Sequence, residues 1–176
     1  MPDHLDRERP SRIRGFSLIE LVMIIVVIGI LGIVVLSRYR PTELSVSIEA
    51  DRLMRDIRHM QMLAMTWGHT LRFTPAGASY SVRCASASAV APCNGAGVVI
   101  DPALGTTFTR TLAAGVTITA GASFDIDGLG RPGTWAAGPT FTLASAIPAA
   151  NFTLTGGGET STVSVARLTG FVSVVY

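Results

Sequence analysis

The chain has 176 residues, 48% of them hydrophobic, with a mean hydropathy of +0.46 and a formal net charge of +2. That length accommodates one domain of about 100–140 residues plus a smaller element. All fourteen basic residues are arginine, and beyond Pro41 eight arginines stand against eight acids; the distal part is neutral and lacks the basic field that recruits nucleic acid.

Residues 1–14 are polar and carry Arg7, Arg9, Arg12 and Arg14. An apolar run follows. Leu21 to Leu36 is sixteen residues without a charge or a hydroxyl, and counted from Phe16 the segment is interrupted only by Ser17 and Glu20. As a helix rising ~1.5 Å per residue it would span roughly 30 Å, the thickness of a bilayer core, so a transmembrane helix is expected here. Four arginines before the run, against Arg38 and Arg40 after it, predict a cytoplasmic N-terminus. The run is longer than the apolar region of a cleaved secretory signal, and Leu36-Ser37-Arg38-Tyr39 offers no small-residue cleavage pattern, so the segment is expected to remain attached. Glu20 lies inside it, where an ionisable group costs a few kcal/mol unless paired and therefore marks a functional site. Gly29 and Gly32 each weaken the helix by roughly 1 kcal/mol relative to alanine. They suit either close packing against a partner helix or local loss of helicity. Pro41 predicts a kink or break where the helix leaves the membrane.

From Thr42, the residues Val46, Ala50, Leu53, Ile57, Met60, Ala64 and Trp67 recur in alternating steps of four and three, predicting one apolar helical stripe. The opposite face carries Glu49, Asp51, Arg52, Arg55, Asp56 and Arg58, with Asp51–Arg55 and Arg52–Asp56 placed as i,i+4 pairs. Met54, Met60, Met62 and Met65 read as core filling at helical spacing rather than a soft-metal surface. Gly68 is the expected stop. The whole stem, 16–67, would reach about 78 Å.

After Gly68, short β-rich runs alternate with Gly, Pro, Asn and Asp: 70–73, 80–83, 98–100, 109–112, 116–119, 123–126, 140–143, 151–154, 162–167 and 171–175. This spacing predicts an antiparallel sheet or sandwich, closed by a hairpin turning at Leu168-Thr169-Gly170. Cys84 and Cys93 enclose eight residues. Outside the cytoplasm a disulfide closing that loop is the natural reading, with two buried thiols as the alternative.

Two stretches carry a resemblance. Gly15-Phe16-Ser17-Leu18-Ile19-Glu20-Leu21 behind a short basic leader resembles the class III signal of type IV prepilins and type II secretion pseudopilins. The resemblance implies a leader of residues 1–15, cleavage by prepilin peptidase between Gly15 and Phe16, and N-methylation of Phe16. Glu20 then becomes the fifth mature residue and pairs with the N-terminal amine of a neighbouring subunit, setting axial register. A buried carboxylate is tolerable when it meets an ammonium, which agrees with that role. The distal Ser123-Phe-Asp-Ile-Asp-Gly-Leu-Gly-Arg-Pro132 and the terminal Val163–Val172 hairpin are similar to the GspH/FimT group of minor pilins and pseudopilins. The cysteine loop is similar to members serving mannose-sensitive haemagglutinin-type pili.

Competing chemistry is weaker. Gly128-Leu-Gly-Arg-Pro-Gly133 satisfies G-x-G-x-x-G, but Pro132 and Gly133 cannot open the helix that a dinucleotide site needs. Asp125-Ile-Asp127 begins like a calcium loop and fails at Leu129 and Ala136; a hydrogen-bonded turn is expected instead. No metal site, cofactor or small-molecule substrate is expected. His59 on a helix surface and His69 in a loop lack a catalytic context, so no enzymatic activity is expected either. The C-terminal tail has no cation after Arg167, which disfavours DNA.

The expected architecture is thus α+β: a leader (1–15), a long N-terminal helical stem with a transmembrane part (16–40) and an amphipathic part (41–68), then a β domain (69–176). The resemblance implies a structural subunit of a type II secretion pseudopilus or a type IV pilus, near its tip. It would be held single-pass in the bacterial inner membrane with the β domain periplasmic before assembly. Its partners would be prepilin peptidase, the inner membrane, and other major and minor subunits through the N-terminal helix. The alternative is an exposed binding module, an adhesin or DNA-uptake receptor, on a pilin stem.

Overall fold

The computed structural model describes residues 17–38, 41–85, 93, 97–136, 140–146 and 149–176, with side chains described up to Ile33 in the first helix and from Ser45 in the second. The chain divides into two compact units, Met1–Tyr39 and Arg40–Tyr176.

The first unit contains α1, Leu18–Arg38. Its first turn is tied by Glu20 and Leu21 N–H groups donating to the Ser17 carbonyl at 3.0 and 3.2 Å. The second unit begins with α2, Pro41–Trp67. Proline at the first helical position costs nothing there, because that N–H has no intrahelical acceptor. Pro41 therefore starts a new helix, the break rather than the kink expected there, and the expected stem of 16–67 is two helices.

Among the described residues no helix is long and apolar enough to cross a membrane. This corrects the expected transmembrane segment 16–40 and the single-pass inner-membrane placement that followed from it. Polarity is the reason in α2, which carries Glu49, Asp51, Arg52, Arg55, Asp56 and Arg58.

The predicted stripe of α2 is buried from Val46 to Ala64, with Leu63 added and Trp67 partly covered. Gly68 stops the helix at φ +67°, a conformation that costs glycine no Cβ clash. Neither i,i+4 pair forms. Arg52 turns to Glu49 at 3.6 Å, Asp51 accepts from the Tyr176 hydroxyl, and Asp56 accepts from Tyr80. Of the four methionines, Met60 is core and Met54 packs against it, but Met62 and Met65 are half-exposed. The core-filling expectation fails for those two because they fall off the buried stripe.

Every strand pairing is antiparallel, as predicted. The strands are β1 (Leu71–Pro75), β2 (Ser79–Cys84), β3 (Ile100–Asp101), β4 (Thr106–Thr107), β5 (Thr109–Thr111), β6 (Thr117–Ala120), β7 (Phe124–Ile126), β8 (Pro132–Trp135), β9 (Phe141–Leu143), β10 (Ala150–Gly156), β11 (Glu159–Val165) and β12 (Val172–Val175). They form a six-stranded sheet in the order β5-β2-β1-β7-β8-β9, a four-stranded sheet β12-β11-β10-β6, and the small pair β3-β4. Phe73 of β1 meets Phe152 of β10 edge-on with centroids 4.9 Å apart, and Phe124 of β7 lies 5.6 Å from Phe152. These rings join the two larger sheets in one core, which the buried face of α2 completes. The predicted terminal hairpin is present: Gly170 N–H donates to Ala166 O at 2.9 Å, with Gly170 at φ +65°.

Candidate functional site

Gly15 and Phe16, the expected cleavage and methylation positions, lie outside the described residues. Glu20 sits in the first turn of α1 and is exposed. Around it the helix shows apolar side chains on every side: Leu18 is 80% exposed, Met23 68% and Ile33 72%. No side-chain partner of Glu20 occurs among the described residues. Cβ atoms built on Gly29 or Gly32 meet nothing within 4 Å, so no contact in this unit requires glycine there.

Cys84 and Cys93 form the disulfide, with Cα atoms 5.6 Å apart. Cys84 is the last residue of β2, and the chain returns beside that strand where Val98 bridges Arg83. The bond closes a loop nine residues apart in sequence. Loop-closure entropy for such a length stabilises by about 2–3 kcal/mol. Reduction is therefore expected to lower the melting temperature by roughly 10 °C in scans with and without reductant. Coincident melts would show that the bond contributes nothing.

Asp125 and Ile126 belong to β7, and Asp127 opens the hydrogen-bonded turn that follows it. Asp125, 1% exposed, receives Arg72 Nε at 2.8 Å, the same guanidinium at 2.9 Å and the Trp135 N–H at 2.5 Å. Asp127 caps its own loop, accepting from the Leu129 and Arg131 N–H groups at 3.0 and 2.8 Å and from the Arg131 guanidinium at 2.7 Å. Both carboxylates are thus spent on protein donors. Gly130 N–H closes the turn on Asp127 O, and Pro132 begins β8 rather than a helix, the opposite of what a dinucleotide site requires.

A second polar cluster was not legible in the sequence. Arg110 lies between two carboxylates, 2.5 Å from Asp101 and 3.4 Å from Asp56. Asp101 also receives His59 Nε2 at 3.2 Å and the Ala103 N–H at 3.0 Å, and Tyr80 donates to Asp56 at 2.7 Å. His59 is therefore a half-buried tie from α2 to β3 instead of a free surface group. Burial pushes the Asp101 carboxyl up, but Ala103, His59 and Arg110 outweigh it and hold the group below the ordinary aspartate range. The partners come from α2, β2, β3 and β5, so no local spacing announces them.

One open groove of about 450 Å³ lies beside β7, β8, β9 and the start of β10, lined by Phe124, Gly133, Thr142, Leu143, Ala150 and neighbours. Its wall offers hydroxyls, backbone groups and the Asn151 amide but no carboxylate, imidazole or thiol. Among the described residues no group of three or more His, Cys, Asp or Glu is placed to hold a metal ion.

No family model, characterised protein or solved structure compared with the chain matches it.

Proposed function

We propose that the chain is a structural subunit of a filament, similar to minor pilins and pseudopilins of the GspH/FimT kind, and that it joins its neighbours through α1. The supporting observation is the α1 surface itself. A helix apolar on every side is normally covered, and contiguous exposed apolar surface of this extent marks an association site. In this reading, cleavage between Gly15 and Phe16 by prepilin peptidase exposes an amine on Phe16, which is then methylated. Equivalent helices of other subunits cover the leucines, isoleucines and valines of α1. Glu20, the lone carboxylate among them, pairs with the new amine of a neighbour. That pair fixes axial register, because a displaced helix would leave a buried charge without its partner.

The reading is tested by Glu20→Ala. The variant removes one member of a desolvated pair and strands the other, so incorporation into filaments is expected to fall by more than about tenfold while cleavage proceeds normally. Mass spectrometry of the mature N-terminus reports cleavage, and quantification of sheared filaments reports incorporation. Wild-type incorporation of a normally processed variant would overturn the register role. A mature chain that does not begin at Phe16 would overturn the whole reading.

A further inference from the structure

The far end of α2 and two turns of the β domain form a surface that the preceding reading does not use. Arg58, Gln61, Met62 and Met65 share one side of the helix at helical spacing. Gln61 donates through Nε2 to Gly130 O at 2.7 Å and to Thr169 O at 3.0 Å, fastening both turns to the helix. A Cβ added to Gly170 would lie 2.7 Å from Gly130 O and 2.6 Å from Gln61 Nε2, so the two turns touch and glycine is what lets them. Beside this junction stand Met62, Met65, Leu129, Leu168 and Phe171, between 49% and 70% exposed. The Arg58 guanidinium lies 5.4 Å from the Phe171 ring centroid and donates to Val172 O at 2.6 Å.

The charge around this face is one-sided although the distal sequence is neutral. Ion pairs consume Glu49, Asp56, Asp101, Asp125 and Asp127 together with Arg52, Arg72, Arg110 and Arg131. Arg55, Arg58 and Arg167 form no ion pair among the described residues; Arg58 lies over Phe171, Arg55 stands one turn earlier on α2, and Arg167 precedes Leu168 in the chain. Asp127, which begins the turn carrying Leu129, is already held by Arg131, and Asp51, one turn before Arg55 on α2, accepts from the Tyr176 hydroxyl. Folding thus engages the carboxylates named here and leaves these arginines without an acidic partner among the described residues.

We propose that this face docks an acidic amphipathic segment of a different protein. Its apolar side chains would lie over the Met62–Met65–Leu129–Leu168–Phe171 surface, and its carboxylates would meet Arg58, Arg55 and Arg167. Met, Phe and Arg are the residues enriched at interface centres, and methionine adapts its shape to a partner. The fastening by Gln61 means little order is lost on binding. Two copies meeting face to face would oppose arginine to arginine, which disfavours self-association here.

The test uses the full-length chain and a short fluorescent synthetic helix with Leu and Phe along one face and Glu along the other. A twin carrying Lys in place of Glu is the control. Fluorescence anisotropy is expected to show the Glu helix binding at least about tenfold tighter than its twin. Leu168→Ser, Phe171→Ser and Arg167→Glu should each weaken it about tenfold, with melting temperatures within a few degrees of wild type because Leu168 and Phe171 are exposed and Arg167 forms no ion pair among the described residues. No binding of the Glu helix, equal binding of the twin, or indifference to these substitutions would overturn the proposal. So would duplex DNA that competes for the same arginines while Leu168→Ser and Phe171→Ser leave its binding intact. Sedimentation showing self-association abolished by the same variants would overturn it too.

Discussion

Asp125→Ala is expected to destabilise the β domain by about 3–5 kcal/mol, the range for removing one member of a buried ion pair. Asp125 and Arg72 face each other across β7 and β1, and Asp125 also faces Gly133 of β8. One carboxylate therefore fastens three adjacent strands, through two bonds to Arg72 and one to the Trp135 N–H. The same guanidinium donates to Trp135 O at 3.0 Å. Alanine would leave the Trp135 N–H without an acceptor, at a cost of about 1–3 kcal/mol by itself. It would also leave the Arg72 charge facing a hole. The arginine side chain is 37% exposed and can turn toward water, which places the result near the lower end of the range. Asp125→Asn preserves shape and one acceptor while removing the charge, so it should lose less than alanine. Denaturant unfolding of both variants checks this. A loss below about 1 kcal/mol for alanine would mean that the strands are held by their ladders and core alone.

That example shows which parts of the molecule were legible beforehand. The buried face of α2, its stop at Gly68, most of the strands and the final hairpin follow from local signals: a 3.6-residue period, a glycine in the left-handed region, and β-branched runs between turn residues. The strand β8 was missed because Pro132 and Gly133 read as loop punctuation. Proline is nevertheless accepted as the first residue of a strand, and a Cβ at Gly133 would clash with Thr142 O and the Phe141 ring of β9. The strand β4 is only two residues long and gives no period at all. The apolar run has the composition expected of the membrane half of one long stem. Pro41 instead opens a separate helix, and no described helix reaches the length and apolarity for crossing a membrane. Helical periodicity tells which residues lie on one face but carries no information about distant partners. Arg52 and Asp56 were close enough along the helix to pair with each other, yet each found a different neighbour: Glu49 for Arg52, and Tyr80 with Arg110 for Asp56. The Asp101–Arg110–Asp56 cluster and the surplus of arginine near Phe171 are consequences of tertiary placement, visible only once the strands are ordered. Glu20 is the opposite case, conspicuous in sequence because a charge interrupts an apolar run, and exposed without a partner among the described residues.

Tyr80 should make the protein lose stability steeply in alkali. Its ring is 1% exposed and its hydroxyl donates to Asp56. Burial first, then the Asp56 charge and the hydrogen bond to it, push the Tyr80 hydroxyl far above the ordinary tyrosine range. A raised folded pKa means that the contribution to stability is complete below the unfolded value, near 10, and declines as pH rises past it, since the unfolded chain releases a proton that the folded chain retains. The slope for one such group is about 1.4 kcal/mol per pH unit. The composition makes this window clean. The chain has no lysine, its two cysteines are bonded, and arginine stays charged throughout, so tyrosines are the side chains that titrate there. Tyr176 is also shifted upward, by its hydrogen bond to Asp51, but it is exposed and its coupling is screened by solvent. Tyr80→Phe should therefore be less stable than wild type at neutral pH by about 1 kcal/mol, for the lost hydrogen bond to Asp56. It should show a much flatter decline between roughly pH 10 and 12, so that the two stability curves converge and then cross. Urea unfolding measured across that range checks the expectation. Parallel curves for the two proteins would mean that Tyr80 ionises as readily in the folded state as in the unfolded one, and that the buried contact with Asp56 does not hold its proton.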